Sequence, residues 1–248
     1  MRKIILDELK KIEEQEHVKI IMAIESGSRA WGFASPDSDY DVRFIYARKQ
    51  EDYLKLEGVR DVIEWKLDEV LDINGWDIKK ALQLLHKSNP TVFEWCASPI
   101  IYYETPEFAL LKEILPMYFS KKKSLYHYWH MADSNYREFL KGDEVRIKKY
   151  LYVLRPLLAA KWILDRQVAP PMLFDDLVDA ELEDGLRENL DKLLELKKSL
   201  PELGMAPKVQ AFNDYIEKTL PEIKDVAERI PSEEVSWHKL NEVFMKMI

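Results

Sequence analysis

The stretch that decides the fold and the site is residues 27–44, GSRAWGFASPDSDYDVRF. A run from Val18 to Ile24 that is apolar except for Lys19 leads into it, and such a run bounded by glycine predicts a buried strand. Residues 27–32 then form a short segment between two glycines, and residues 35–38 (SPDS) predict a turn. The stretch therefore predicts a strand, a turn and a second strand.

The second predicted strand carries two carboxylates on one face. Side chains at 40, 42 and 44 are aromatic or apolar, and they alternate with Asp39, Asp41 and Arg43. Because successive side chains of a strand point to opposite faces, both carboxylates are expected to point the same way, with Arg43 beside them. Neighbouring carboxylates repel each other, and Mg²⁺ or Mn²⁺ relieves that repulsion through the oxygen ligands it prefers. Arg43 can also neutralise Asp41, and the sequence leaves its role open.

The Gly-Ser turn predicts a phosphate site. Backbone N–H groups at a strand-to-helix turn bind phosphate oxygens, and Ser28 can add a hydroxyl. Gly27 lets the backbone approach the phosphates closely. Arg29 can also reach a phosphate, although an arginine in the first turn of a helix more often faces solvent. A phosphate site that faces a metal-holding carboxylate pair is the arrangement used for nucleotidyl transfer.

The spacing of these residues resembles the signature of the DNA polymerase β-like nucleotidyltransferase superfamily: Gly27-Ser28, ten residues, then Asp39-Tyr40-Asp41. The longer strings GSRAWG (27–32) and SDYDVR (38–43) resemble a narrower family, the predicted bacterial and phage nucleotidyltransferases associated with RNA repair. The motif covers under a tenth of the chain.

The resemblance implies an enzyme that depends on Mg²⁺ or Mn²⁺ and moves a nucleoside monophosphate from an NTP to an acceptor hydroxyl. It favours an RNA or tRNA end as the acceptor. Nucleotidylation of a protein or a small molecule is one alternative, and a non-catalytic nucleotide-binding module is another.

The superfamily also implies a third carboxylate from a neighbouring strand, which binds the metal near the nucleophile. Asp72 lies within a predicted strand over 70–73, as the superfamily arrangement requires. Asp77 precedes a predicted helix over 78–86 and is well placed to cap it. We therefore expect Asp39, Asp41 and Asp72 to be the catalytic residues and metal ligands. In a two-metal mechanism they would hold ions about 3.5–4 Å apart.

Composition limits the class of protein. The chain has 248 residues, 47% of them hydrophobic and 33% charged, which is typical of a globular protein. A net charge of −8 argues against a broad nucleic-acid-coating surface and leaves room for a local basic patch. No apolar run approaches the roughly 20 residues of a membrane span. With no apolar signal region and a single cysteine, Cys96, the sequence predicts a cytoplasmic protein without a membrane partner.

The order of predicted elements gives an α+β fold with two domains. Further strands predicted over 59–63 and 70–73 complete a small mixed sheet, and an amphipathic helix over 4–16 is expected to pack behind it. Residues 74–77 are expected to break the last strand. Beyond residue 103 only helices are predicted, over 106–115, 120–140, 144–165, 181–199, 207–228 and 236–247. We therefore predict a mixed-sheet nucleotidyltransferase domain over 1–103 and an all-α helical domain over 104–248.

The helix predicted over 144–165 carries a polar stripe. Lys148, Tyr152 and Arg155 are spaced i, i+4 and i+7, apart from the apolar core stripe, and Pro156 is expected to kink the helix beside them. Related nucleotidyltransferases often bind the NTP with a lysine and a tyrosine or serine of the helical domain, so the resemblance implies nucleotide binding by these three residues. A solvated helix face is the alternative.

Overall fold

The computed structural model describes residues 1–35, 38–68, 70–199 and 205–248. Residues 36 and 37, the centre of the predicted turn, lie outside the described residues. The first elements of the chain are α1 (Arg2–Glu16), β1 (Lys19–Glu25), α2 (Gly27–Trp31), β2 (Tyr40–Ala47), α3 (Gln50–Tyr53), β3 (Val62–Leu67), β4 (Leu71–Asp77), α4 (Ile78–His86), α5 (Pro90–Cys96), β5 (Ile101–Glu104), α6 (Pro106–Ile114) and a 3₁₀ helix (Leu115–Tyr118).

The remaining elements are mostly helical. They are α7 (Lys121–Phe139), β6 (Glu144–Arg146), α8 (Lys148–Arg166), α9 (Phe174–Glu181), a 3₁₀ helix (Asp184–Leu186), α10 (Arg187–Ser199), β7 (Met205–Pro207), α11 (Gln210–Arg229) and α12 (His238–Met247). Among the described helices, none combines the length and the apolar character that crossing a membrane requires.

The first five strands form one mixed sheet in the order β3-β4-β2-β1-β5. Strands β2 and β4 are parallel, and the other neighbouring pairs are antiparallel. Helix α1 buries Ile5, Leu9 and Ile12 in the core that covers one face of this sheet. The predicted α+β class, with a mixed sheet backed by a helix, is confirmed.

Strand β4 differs from the prediction. Residues 74–77 were expected to break it, but they continue it to Asp77. The glycine is needed for packing rather than for a turn, because a Cβ on Gly75 would lie 2.2 Å from the ring of Phe44. The predicted helix after the strand is confirmed as α4, and its predicted cap is present: the Asp77 side chain accepts a hydrogen bond from the Lys79 N–H at 2.8 Å.

The chain forms two compact units, residues 1–119 with 234–248, and residues 120–233. In the first unit, α12 packs against α4 and α6. The Tyr118 hydroxyl donates to the Ser236 carbonyl at 2.9 Å, and His86 stacks on Trp237 with ring centroids 3.5 Å apart. The predicted boundary near residue 104 therefore falls inside this unit, and the assignment of a catalytic and a helical domain stays a prediction.

The second unit contains α7–α11 and a two-stranded sheet of β6 and β7. Helix α8 packs against α7, α9 and α11, and it continues through Pro156. The Tyr150 hydroxyl links two of these helices by donating to Asn213 Oδ1 at 2.5 Å. The helix predicted from residue 144 begins only at Lys148, because residues 144–146 pair with β7 as a strand. Helix α9 was not predicted.

Candidate active site

Asp41 and Asp72 lie side by side on two parallel strands. They are register partners in the β2–β4 pair. The Arg43 guanidinium joins them, since its Nη2 donates to Asp41 Oδ1 at 3.0 Å and to Asp72 Oδ2 at 2.7 Å. Its Nη1 also donates to the Asp72 carbonyl at 3.2 Å. Arg43 therefore pairs with both carboxylates, Asp41 and Asp72.

The surroundings of Asp41 raise the pKa of its carboxyl above the ordinary value. Burial raises the pKa of its carboxyl, Arg43 opposes that shift, and the negative charges of Asp72 and Asp39 add to it. Binding of a further cation near these oxygens would relieve the repulsion among the three carboxylates.

Asp39 is placed differently from Asp41. It precedes β2, which begins at Tyr40, and it is exposed. Arg29 holds this segment by donating from Nε to the Asp39 carbonyl at 3.0 Å and from Nη2 to the Ser38 carbonyl at 2.5 Å. The same guanidinium lies 3.8 Å from the centroid of the Tyr40 ring. Arg29 therefore positions the segment that carries Asp39, and its binding to phosphate stays a prediction.

The Gly27 turn lies directly against Asp41. Gly27 has a φ of +59°, in the left-handed region, and a Cβ there would lie 2.0 Å from Asp41 Oδ2. The preceding Ser26 N–H donates to the Asp41 carbonyl at 2.8 Å. Ser28 follows in the first turn of α2 and is half-buried. The predicted phosphate turn and the predicted metal ligand Asp41 are therefore adjacent.

Glu25, at the end of β1, is a site residue that the sequence reasoning missed. It has 0% exposed surface. Its Oε1 accepts the Asp41 N–H at 2.7 Å, and its Oε2 accepts the Tyr102 hydroxyl. Burial raises the pKa of Glu25, and these two hydrogen bonds oppose that shift. The only signal in the sequence is an acidic residue directly after an apolar run.

Asp77 lies away from this group of residues. It is 2% exposed, caps α4 and accepts the Tyr53 hydroxyl at 3.0 Å. Of the two candidates for the third carboxylate, Asp72 is the one beside Asp41. That Asp72 is a metal ligand stays a prediction.

The three residues predicted on α8 differ in their accessibility. Lys148 is the first residue of the helix and is half-buried, Tyr152 is 39% exposed, and Arg155 is only 3% exposed. They do not form an evenly accessible polar stripe. Nucleotide binding by any of them stays a prediction.

The donor chemistry of the site fits a hard divalent cation, although the described residues contain no preformed metal-binding cluster. Across the described ranges, no three or more His, Cys, Asp or Glu side chains are grouped so that they could hold a metal ion. Arg43 donates a hydrogen bond to one carboxylate oxygen of Asp41 and to one of Asp72. Carboxylate oxygens are the ligands that Mg²⁺ and Mn²⁺ prefer, and the exposed Asp39 precedes Asp41 by two residues in the chain.

A mixed sheet in which a Gly-Ser turn lies against Asp41, and Asp41 lies beside Asp72 of the parallel neighbouring strand, is typical of a nucleotidyltransferase-like protein of the DNA polymerase β type. The model of one family, described as "RlaP: RNA repair pathway DNA polymerase beta family", matches residues 1–246. The chain belongs to this family.

Two further proteins are similar to the chain. Uncharacterized protein YcgL of Bacillus subtilis (strain 168) is 45% identical over 235 residues, which are 94% of this chain and 90% of that protein. The second is a nucleotidyltransferase-like protein from Exiguobacterium sibiricum 255-15, known from a crystal structure. The match covers 90% of this chain and 74% of that protein's chain, with 13% sequence identity and a TM-score of 0.31.

Proposed function

We propose that the chain is a metal-dependent nucleotidyltransferase that moves a nucleoside monophosphate from an NTP to an acceptor hydroxyl, with an RNA end, such as that of a tRNA, as the acceptor. The observation that carries the proposal is the Asp41–Asp72 pair on two parallel strands, with Asp41 directly against the Gly27 turn. Membership of a family described by RNA repair supports the choice of acceptor.

In this proposal, Asp39, Asp41 and Asp72 hold Mg²⁺ or Mn²⁺. The bound metal would offset the charge of the phosphates and lower the pKa of the acceptor hydroxyl. Backbone N–H groups of the Gly27 turn and the Ser28 hydroxyl would bind the phosphate oxygens.

The reaction is an in-line displacement at the α-phosphorus. The acceptor oxygen forms a bond to phosphorus, the bond from phosphorus to the bridging oxygen breaks, and pyrophosphate leaves. A carboxylate oxygen of Asp72 would take the proton of the acceptor hydroxyl. Glu25 would keep Asp41 in place by accepting its backbone N–H, as it does at 2.7 Å in this structure.

We also propose that Lys148 and Tyr152 contact the triphosphate. The support for this step is the resemblance to related enzymes together with the accessibility of Tyr152, which is 39% exposed. Arg155 is 3% exposed, so it would have to be uncovered before it could bind a phosphate.

The test is transfer from each labelled NTP, with Mg²⁺ or Mn²⁺, to a set of acceptors that includes tRNA, single-stranded RNA, protein and small molecules. Asp41→Asn and Asp72→Asn should each lower the rate by more than about 100-fold, since even residues that only orient metal ligands cost 10–100-fold. Asp77→Asn is the matched control, because it makes the same chemical change at a helix cap.

The alternatives give different results in the same experiment. Labelling of protein or a small molecule without labelling of RNA would show that the acceptor is that protein or small molecule and not RNA. Binding of NTP without transfer to any acceptor would indicate a non-catalytic nucleotide-binding module. Full activity of Asp41→Asn would overturn the assigned site.

A further inference from the structure

A cavity of about 460 Å³ opens within the first unit, at the end of the sheet where the site lies. Its lining includes Arg2, Arg29, Tyr40 and Tyr102, together with the small residues Gly32 and Ala34. This volume is within the range of about 300–1,000 Å³ that ligand pockets usually have. The cavity is therefore large enough for one nucleotide unit.

The charge of this cavity is opposite to that of the chain. The protein carries a net charge of −8, yet the described residues that line the cavity include two arginines and no acidic residue. Glu25 lies behind Tyr102, where it accepts the tyrosine hydroxyl and is fully buried. The cavity therefore favours an anionic ligand.

Both arginines are oriented by backbone carbonyls. Arg2 donates from Nη2 to the Ile101 and Tyr102 carbonyls at 2.8 and 3.3 Å. Arg29 donates from Nε and Nη2 to the Asp39 and Ser38 carbonyls. A guanidinium has five N–H donors, so these bonds leave donors on each group that can bind phosphate oxygens.

Each arginine is also paired with a tyrosine ring. Arg29 lies 3.8 Å from the Tyr40 centroid and Arg2 lies 5.4 Å from the Tyr102 centroid. Proteins that bind single-stranded RNA use this combination of arginine and aromatic side chains. The bases stack on aromatic rings or on guanidinium planes, and the positive charges bind the phosphate backbone.

The cavity is connected to the site through the chain itself. Tyr40 lies between Asp39 and Asp41, and it packs with the core on the α1 side of the sheet. Arg29 holds the backbone of Asp39. A ligand in the cavity would therefore contact the residues that flank the proposed metal ligands, without occupying the Gly27 turn.

We infer that this cavity binds one nucleotide of the single-stranded acceptor RNA, its phosphate on Arg2 and Arg29 and its base against a tyrosine ring. The inference rests on the proposed function for the identity of the acceptor. It assigns acceptor binding to a place separate from the turn at Gly27 and Ser28, where the NTP phosphates are proposed to bind.

The experiment is the binding of a fluorescein-labelled single-stranded RNA hexanucleotide, followed by anisotropy in EDTA so that no transfer occurs. The variant is Arg2→Gln. The matched control is Lys3→Gln, which removes the same charge from the next position of α1, where the side chain is exposed. A thermal unfolding curve for each variant tests whether the fold is retained. A further variant, Arg2→Lys, keeps the positive charge and removes the planar guanidinium.

We expect Arg2→Gln to weaken RNA binding by about 5-fold or more. The plot of the logarithm of the association constant against the logarithm of the salt concentration should become less steep by about 1, as loss of one phosphate contact predicts. Lys3→Gln should change the affinity less than 2-fold. Arg2→Lys should fall between wild type and Arg2→Gln, because a lysine binds phosphate only as a point charge. Binding of ATP with Mg²⁺, measured by calorimetry, should be the same in wild type and Arg2→Gln.

Three results would overturn the inference: no binding of the hexanucleotide by wild type, equal losses in Arg2→Gln and Lys3→Gln, or a loss of ATP affinity in Arg2→Gln. Failure of the proposed function is separate. If wild type transfers no nucleotide to RNA but Arg2→Gln alone weakens RNA binding, the cavity is supported as an RNA site and the reaction is not.

Discussion

Replacing Arg43 with methionine tests whether this side chain is the internal counter-ion of the site. The change removes two hydrogen bonds to carboxylates, at 3.0 Å to Asp41 and 2.7 Å to Asp72. Hydrogen bonds to charged groups contribute about 1.5–3 kcal/mol each when they are buried. Here the three side chains are 19%, 32% and 29% exposed, so solvent screens the interaction. We expect the free energy of unfolding in EDTA to fall by about 1–3 kcal/mol.

The size of this loss should depend on metal. Without Arg43, Asp41 and Asp72 are left without their shared cation, so a divalent ion should bind more tightly than to wild type. A ligand at 100 times its dissociation constant stabilises the folded state by about 2.7 kcal/mol. The difference in unfolding free energy between wild type and Arg43→Met should therefore shrink in Mn²⁺.

The measurements are urea unfolding followed by circular dichroism, in EDTA and in Mn²⁺, and Mn²⁺ affinity by electron paramagnetic resonance. Arg137→Met is the control, because Arg137 pairs with Asp133 at 2.6 Å with 68% of its side chain exposed. Such an exposed helical pair contributes about 0.3–0.5 kcal/mol. Arg43 is not the counter-ion of the site if Arg43→Met loses no more stability than Arg137→Met, or if Mn²⁺ leaves the difference between wild type and Arg43→Met unchanged.

Further substitutions test three other parts of the structure. Gly27→Ala should lower the transfer rate by at least about 10-fold, because the added Cβ would meet the Asp41 carboxylate; unchanged kinetics would contradict this. Asp77→Ala should lower the free energy of unfolding by about 0.5–2 kcal/mol through loss of the cap. Burial raises the pKa of Asp77, so protonation of its carboxyl stabilises the folded state at low pH, and this stabilisation is lost as the pH rises through the raised pKa. Urea titrations over that pH interval should show the free energy of unfolding of Asp77→Asn rising relative to that of wild type. Parallel plots of unfolding free energy against pH for the two proteins would exclude the effect. Lys148→Gln and Tyr152→Ala should weaken NTP binding more than NMP binding, and equal affinities for wild type and both variants would identify this helix face as merely solvated.

The elements that the sequence predicted well are those with local causes. Helix α1 follows from the spacing of Ile5, Leu9 and Ile12, which are all buried. Helix α4 follows from Asp77, whose side chain makes the cap that its position predicts. In both cases the residues that determine the element lie within it or next to it.

The elements that were missed depend on distant partners. Residues 74–77 have the composition of a turn, and they remain a strand because Gly75 packs under Phe44 of the neighbouring strand. Residues 144–146 were assigned to a helix, and they form a strand because residues 205–207 pair with them. Neither partner is visible in the local pattern, since strand pairing across the chain overrides weak local preference.

The same distinction applies to the site. Asp41 and the Gly27 turn belong to one contiguous signature, so the sequence could place them together. The proximity of Asp72 to Asp41 depends on the parallel register of β2 and β4. The resemblance to known nucleotidyltransferases supplied that partner, but it did not supply the Arg43 bridge between them.

Residues 25–27 act on Asp41 as a unit, and this gives the turn a role besides the phosphate binding that we propose for it. Glu25 accepts the Asp41 N–H, Ser26 donates to the Asp41 carbonyl, and Gly27 leaves the space that the Asp41 carboxylate fills. Three consecutive residues therefore fix the backbone and the side chain of one proposed metal ligand. Because a change at Gly27 would displace Asp41 as well as the phosphate, loss of activity in a Gly27 variant cannot by itself be assigned to phosphate binding. A Ser28→Ala variant separates the two roles, since it removes the proposed phosphate donor and leaves all three contacts to Asp41 in place.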